Sequence, residues 1–209
     1  MTLDQIMSLA PVIPVLIIED VAHAVPLGRA LVAGGLPVLE ITLRTPAGMA
    51  CIRRMAAEVE GAVVGAGTVT TSALRQAVAD AGARFAVSPG LIDGETADGP
   101  TPLLPGIATA TELMAGIAAG FDRFKLFPAN VAGGAETIKA FQSPFPEPRF
   151  CPTGGVNLKS AAEYLALPNV LCVGGSWIAP TAAVRAGDWA GITARAREAA
   201  GLAQNAASR

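Results

Sequence analysis

An alternation limits the folds open to this 209-residue chain more than any other feature. Eight short apolar or β-branched runs recur, at residues 12–17, 38–42, 63–66, 85–88, 103–107, 123–127, 150–153 and 170–174, with amphipathic stretches between them. Parallel strands cannot be joined by tight hairpins and need a crossover, usually a helix. Eight regular strand-helix units therefore predict an α/β protein, a parallel sheet closed into a single (β/α)8 barrel spanning residues 1–209, preceded by a short amino-terminal helix. An open α/β sheet is the structural alternative. The length is near-minimal, since such barrels start at roughly 200 residues. The fourth unit is degenerate: residues 91–100 read LIDGETADGP, too rich in glycine and acidic residues for a helix, so a loop or single turn is expected.

Helix boundaries are written in the same stretches. Thr45 with Pro46 reads as an N-cap and first helical position, ahead of Met49, Ile52, Met55 and Val59 at helical spacing. Thr109 and Glu112 have the spacing of a capping box. Asp20, Asn157 and Asp188 are further N-cap candidates, and Gly34, Gly82 and Gly120 read as stops before the next strand. The tail at 205–209 reads as a frayed end.

Composition bounds the partners. Only 15% of residues are charged, 52% are hydrophobic and the net charge is −2, with no basic cluster to attract nucleic acid or an anionic membrane surface. The surplus of apolar residues points to a homo-oligomer. One histidine, His23, and three scattered cysteines, Cys51, Cys151 and Cys172, have no metal-ligand spacing. They read as a packing or surface residue and as reduced core-filling thiols of a cytoplasmic protein. The first 24 residues carry Asp4, Pro11 and Pro14 where a signal peptide has a basic start and an unbroken apolar run, and they read as structural. No run approaches the ~18 apolar residues of a membrane span.

Against this background a few polar residues stand out. Alternate strand residues face opposite sides of a sheet, so packing Leu39, Ile41 and Leu43 against helices turns Glu40, Thr42 and Arg44 inward. By the same parity Phe124 and Leu126 go outward and Lys125 inward. Lysine is scarce: besides Lys125 there are only Lys139 and Lys159, both in expected helices. A structural Glu40–Lys125 ion pair is the plain reading. The alternative is chemistry, because active sites of these barrels sit at the carboxyl ends of the strands and burial favours the neutral, nucleophilic amine.

The last two runs end in Thr153-Gly154-Gly155 and Gly174-Gly175-Ser176. Loops after the last two barrel strands commonly bind phosphate through backbone N–H groups that glycine lets close, and tight turns are the plain alternative. Gly65-Ala66-Gly67-Thr68 is a weaker case of the same kind. Trp177 and Trp189 read as packing anchors.

Taken in order, Val38-Leu39-Glu40-Ile41-Thr42-Leu43-Arg44-Thr45, Gly65-Ala66-Gly67-Thr68, Ser88-Pro89-Gly90, Lys125-Leu126-Phe127-Pro128, Pro152-Thr153-Gly154-Gly155 and Gly174-Gly175-Ser176 resemble the 2-keto-3-deoxy-6-phosphogluconate aldolase and 4-hydroxy-2-oxoglutarate aldolase family, from about residue 12 to residue 202. The resemblance implies a class I, Schiff-base aldolase on a (β/α)8 barrel, usually trimeric, acting on a small 2-keto acid phosphate without metal or cofactor. It makes Lys125 the imine-forming residue and Glu40 the general acid/base. Arg44 and Thr68 would hold the substrate carboxylate, Phe127 and Pro89 wall the pocket, and Thr153 supplies a hydroxyl beside the imine. Gly154, Gly155, Gly174, Gly175 and Ser176 would cradle the distal phosphate. Two departures stand out: the first strand ends in Ile17, Ile18 and Glu19 where some relatives carry a basic residue, and residues 91–100 are short. A sugar-phosphate isomerase working through Glu40 and Lys125 without an imine, and a non-catalytic phosphosugar-binding barrel, are the competing functions.

Overall fold

The structure, a computed structural model, describes residues 1–202; the tail at 205–209 lies outside the described residues. In chain order it runs α1 (Leu3–Met7), β1 (Val12–Leu16), a 3-10 turn (Val21–His23), α2 (Ala24–Ala33), β2 (Val38–Thr42), α3 (Gly48–Glu58), β3 (Val63–Gly67), α4 (Ser72–Asp80), β4 (Phe85–Val87), β5 (Leu103–Leu104), β6 (Gly106–Ile107), α5 (Ala110–Ala118), β7 (Arg123–Leu126), α6 (Gly134–Gln142), β8 (Arg149–Phe150), α7 (Leu158–Leu165), β9 (Val173–Gly175), α8 (Thr181–Arg185) and α9 (Trp189–Ala200). Strands pair in parallel throughout, as a six-stranded sheet β5-β4-β3-β2-β1-β9 and a three-stranded sheet β6-β7-β8.

The expected fifth strand is split. Pro105 has no N–H to give to a ladder, so Leu103–Leu104 pairs with β4, Gly106–Ile107 pairs with β7, and the Pro105 carbonyl accepts from Lys125 N–H at 2.9 Å. The last two expected strands are also shorter than their apolar runs. Beyond β8 the pairing continues only through single bridges, Phe150 with Val170 and Thr153 with Gly174.

Two apolar layers explain the strand parity. Leu39, Ile41, Ala66, Phe124 and Leu126 share one core with the helices. Ile13, Val38, Phe85, Val87, Leu104, Cys151 and Cys172 form a second core on the other face of the strands, together with Ile6 and Met7 of α1. Burying each large apolar side chain is worth about 1.5–3 kcal/mol, which fixes the register and hence the face on which Glu40 and Lys125 emerge. The capping box at Thr109 and Glu112 is formed, and Asp20, Asn157 and Asp188 accept N–H bonds at their turns. Thr45 is not an N-cap. α3 begins at Gly48, and the Thr45 hydroxyl instead donates to the Ile18 carbonyl, tying the loop after β2 to the loop after β1.

Residues 91–100 hold no helix, only a turn. What orders them is Arg75 of α4, just 1% exposed. It pairs with Glu95 and donates to the carbonyls of Thr96, Ala97, Asp98 and Thr101 at 2.8–3.3 Å. Gly99 lies against the guanidinium so closely that a Cβ there would strike it. α8 was not foreseen from the sequence. Among the described residues no helix is long and apolar enough to cross a membrane.

Candidate active site

Glu40 lies in the middle of β2 and Lys125 in β7, 3% and 2% exposed. The expected plain alternative, an ion pair between them, is absent: among the described residues no carboxylate comes within 4.0 Å of Lys125 Nζ. Glu40 Oε1 is buried without any hydrogen-bond partner, an arrangement that costs free energy and that structural pairs exist to avoid. Lys125 Nζ lies 4.4 Å from the centroid of the Phe127 ring, two residues further along the chain. Cys172 sits near Glu40. Its thiol is held well above its usual range, first by its hydrogen bond with Cys151, then by burial, and then by the charges of Cys151 and Glu40. Cys172 is thus an inert thiol in this setting.

A cavity of about 130 Å³ is lined by Arg44, Phe127 and Val156, by Val15 of β1, and by two loops, Thr153 to Gly155 and Gly174 to Ser176. Glu40 and Lys125 do not line it but adjoin two residues that do, Val15 in register with Glu40 and Phe127 beside Lys125 Nζ. Eight of the residues singled out in the sequence thus share one cavity: Arg44, Phe127, Thr153, Gly154, Gly155, Gly174, Gly175 and Ser176. Gly154 and Gly155 have φ of +97° and +71°, a region that favours glycine, so the turn after β8 depends on them. Thr153 is 6% exposed and leans over Gly174, where a Cβ would strike its hydroxyl. Thr68 stands beside the cavity and reaches it through Arg44, whose Nε donates to the Thr68 hydroxyl at 3.3 Å. Its backbone has φ +64°, unusual for a β-branched residue. Pro89 is exposed and does not line the cavity; its carbonyl lies over Gly106, the residue that pairs with Lys125.

The sequence reading missed Val15 and Val156. Inward parity of β1, two residues on from Ile13, was the available signal for Val15; Val156 follows an irregular turn and left none. Glu19, where a basic residue was a possibility, is held by Arg185 of α8 through two hydrogen bonds of 2.6 and 2.7 Å, and that contact depresses its carboxyl below the usual range. A larger cleft of about 290 Å³ lies by α1, lined by Thr2, Ala97 to Gly99 and Phe121 to Arg123. Arg123 there is already paired with Asp4 and Asp122.

Fold and site together define a class: an α/β enzyme of parallel strands with its pocket at their carboxyl ends. The family model for KDPG and KHG aldolase matches residues 3–195. A 2-dehydro-3-deoxy-phosphogluconate aldolase from Pseudoalteromonas atlantica is 52% identical over 199 residues, covering 93% of this chain and 92% of that protein. The KHG/KDPG aldolase of Escherichia coli K12 is 48% identical, covering 94% and 93%. Among solved structures, the KDPG aldolase of Legionella pneumophila, with pyruvate captured as a covalent carbinolamine, superposes with a TM-score of 0.92 at 44% identity over 94% of this chain and 97% of that one. This chain belongs to the KDPG and KHG aldolase family.

Proposed function

We propose that the protein is a class I aldolase that cleaves 2-keto-3-deoxy-6-phosphogluconate to pyruvate and glyceraldehyde 3-phosphate, with Lys125 as the imine-forming residue. The observation that carries this reading is the pair of buried, mutually unpaired groups, Glu40 and Lys125, adjoining Val15 and Phe127 in the wall of a cavity bounded by two Gly-Gly loops. The neutral amine of Lys125 attacks the C2 carbonyl and water leaves, giving an iminium. Glu40 takes the proton of the C4 hydroxyl, the C3–C4 bond breaks, and its electron pair flows into the iminium to give an enamine while the aldehyde departs. Protonation of the enamine carbon by Glu40 and hydrolysis release pyruvate and restore both groups. Arg44 and Thr68 hold the carboxylate, the guanidinium offering two parallel donors. Phe127 walls the pocket, and Thr153 presents its hydroxyl beside the imine. Gly154, Gly155, Gly174, Gly175 and Ser176 receive the phosphate. As written, the scheme calls for no metal or cofactor.

Incubation with pyruvate and borohydride, followed by peptide mass spectrometry, is expected to place a reduced adduct on Lys125; its absence overturns the assignment. The Escherichia coli relative is named for both KHG and KDPG, so unphosphorylated 4-hydroxy-2-oxoglutarate is a second substrate to compare, along with the galactonate epimer. The phosphate is expected to raise kcat/KM by at least ~10-fold, the effect of about one charge-assisted hydrogen bond. No gain from the phosphate would remove the cradle from the scheme.

Thr68→Gly separates binding from folding. Glycine accepts φ +64° without strain, so the variant is expected to melt no lower than the parent. Loss of the hydroxyl that orients Arg44 is expected to raise the KM for pyruvate in methyl-proton exchange by roughly 10-fold. An unchanged KM would exclude Thr68 from the carboxylate site.

The two sheets read as one closed barrel: only Pro105 separates β5 from β6, and the isolated Phe150–Val170 and Thr153–Gly174 bridges link the segment that starts with β8 to the segment that ends in β9. A cytoplasmic homotrimer fits the apolar composition and the exposed Met114 and Ile117 on α5, and light scattering in solution tests the assembly.

A further inference from the structure

We infer that Gly67 is a positioning residue whose missing side chain forms the seat of the Glu40 carboxylate; the inference rests on Glu40 being the acid/base of the proposed aldolase. The problem it solves is visible in the site. A general base that must swing no further than the reacting carbon needs a fixed carboxylate, yet Glu40 Oε1 has no hydrogen-bond partner and no cation lies within ion-pair distance. What remains to hold it is shape. Glu40 pairs in register with Gly65, and Gly67 is two residues further on along the same inward face of β3. A Cβ built on Gly67 meets three atoms of Glu40 and nothing else as near: Oε1, Cδ and Cγ, the last two at 2.9 Å. The Cγ–Cδ–Oε1 edge of the side chain therefore lies against the Gly67 Cα.

Backbone freedom is not the reason for glycine here, because Gly67 is absent from the positive-φ positions, whereas its neighbour Thr68 is among them. Gly65, the preceding inward residue, makes the same kind of room for a different side chain, the Phe85 ring. Gly174 does so for Thr153. Three interior side chains, Phe85, Glu40 and Thr153, thus lean over a glycine of a neighbouring segment, and at Gly67 the side chain is the proposed acid/base. Holding a carboxylate by contact rather than by hydrogen bonds leaves no protein donor competing with the substrate proton.

The test follows proton transfer apart from imine formation. Lys125 adduct formation with pyruvate and borohydride reads the imine; deuterium uptake into the pyruvate methyl group in D2O reads the base. Gly67→Ala is expected to keep the adduct and slow deuterium uptake about 100-fold, within the range of a displaced acid/base. Glu40→Asp, one methylene shorter, is expected to slow it about 10-fold. In the double variant the retracted carboxylate clears the added methyl, so the combined loss is expected to be at least ~10-fold smaller than the product of the two single losses. Losses that multiply, or uptake by Gly67→Ala within two-fold of the parent, overturn the seat. Failure of the parent protein itself to form the adduct would instead overturn the aldolase reading.

Stability supplies a second readout should Gly67→Ala fold poorly. Overpacking against Glu40 is expected to lower Tm by roughly 5 °C. In a Glu40→Ala background the same substitution is expected to shift Tm by less than ~1 °C, because nothing is left to strike. An equal drop in both backgrounds shows that the methyl disturbs something other than Glu40 and overturns the inference.

Discussion

Lys125→Met is expected to lower turnover by about 10^4-fold or more while changing the folding free energy by ~1 kcal/mol or less. The two halves of this result come from different observations. Methionine matches the length of the lysine stem and fills the same space on β7, but it offers no nucleophile and cannot form the iminium on which the C3–C4 cleavage depends. The small effect on stability follows from the missing ion pair. Had Glu40 and Lys125 been a structural couple, deleting one partner would leave an uncompensated buried charge and cost about 3–5 kcal/mol; with no carboxylate within 4.0 Å of Nζ among the described residues, that penalty has no source. Lys125→Arg is the companion variant. It keeps the charge but not the chemistry, since a guanidinium does not lose its proton near neutral pH. No borohydride-reduced adduct is expected from either variant. Retained adduct in Lys125→Arg would move the imine to another residue, and a loss of several kcal/mol in Lys125→Met would restore the structural reading.

Much of this site was legible because strand parity is a two-state code. Leu39 and Ile41 could belong only to the helix-facing core, which left Glu40 on the other face; Phe124 and Leu126 did the same for Lys125. The glycine pair after β8 matches the positive φ of Gly154 and Gly155, which favours glycine, and the pair at β9 matches the close approach of Thr153 to Gly174 and of Trp177 to Gly175. What sequence could not convey is distance. Parity put Glu40 and Lys125 on one face but did not say whether they touch, and the choice between an ion pair and two separate reactive groups turned on that. Thr45 misled for a related reason: a cap needs its hydroxyl oxygen to accept a backbone N–H of the first turn, whereas the tertiary placement of the β1 loop sets that hydroxyl to donate to the Ile18 carbonyl, and the helix begins only at Gly48. The split at Pro105 was marked in the sequence by proline itself, yet the apolar run on either side hid it.

Arg75 was the least legible residue of all, since one arginine on an amphipathic helix reads as solvated surface, and it carries the second large prediction. Arg75→Met is expected to cost about 3–5 kcal/mol, which for a chain of this size lowers Tm by roughly 10 °C or more. The guanidinium takes the place of the helix missing between β4 and β5. Its donors satisfy the carbonyls of Thr96, Ala97, Asp98 and Thr101, and its charge answers Glu95. Methionine fills part of the volume and supplies none of these donors, so several carbonyls and a largely buried carboxylate lose their partner at once. Arg75→Lys is expected to fall between the two, because a single ammonium has three donors at one point and cannot span the fork. The Glu95 part of the loss depends on pH. The Ser72 hydroxyl first, and Arg75 with it, hold the Glu95 carboxyl below its usual range, so its contribution is present above the unfolded carboxyl pKa of about 4.3 and disappears as pH falls through the lower folded value. The Tm gap between parent and Arg75→Met should therefore narrow below about pH 4 without closing, the carbonyl bonds being indifferent to protonation. Denaturation curves at neutral and acid pH check both statements, and a Tm within 2 °C of the parent would mean that residues 91–100 are ordered by something other than this arginine.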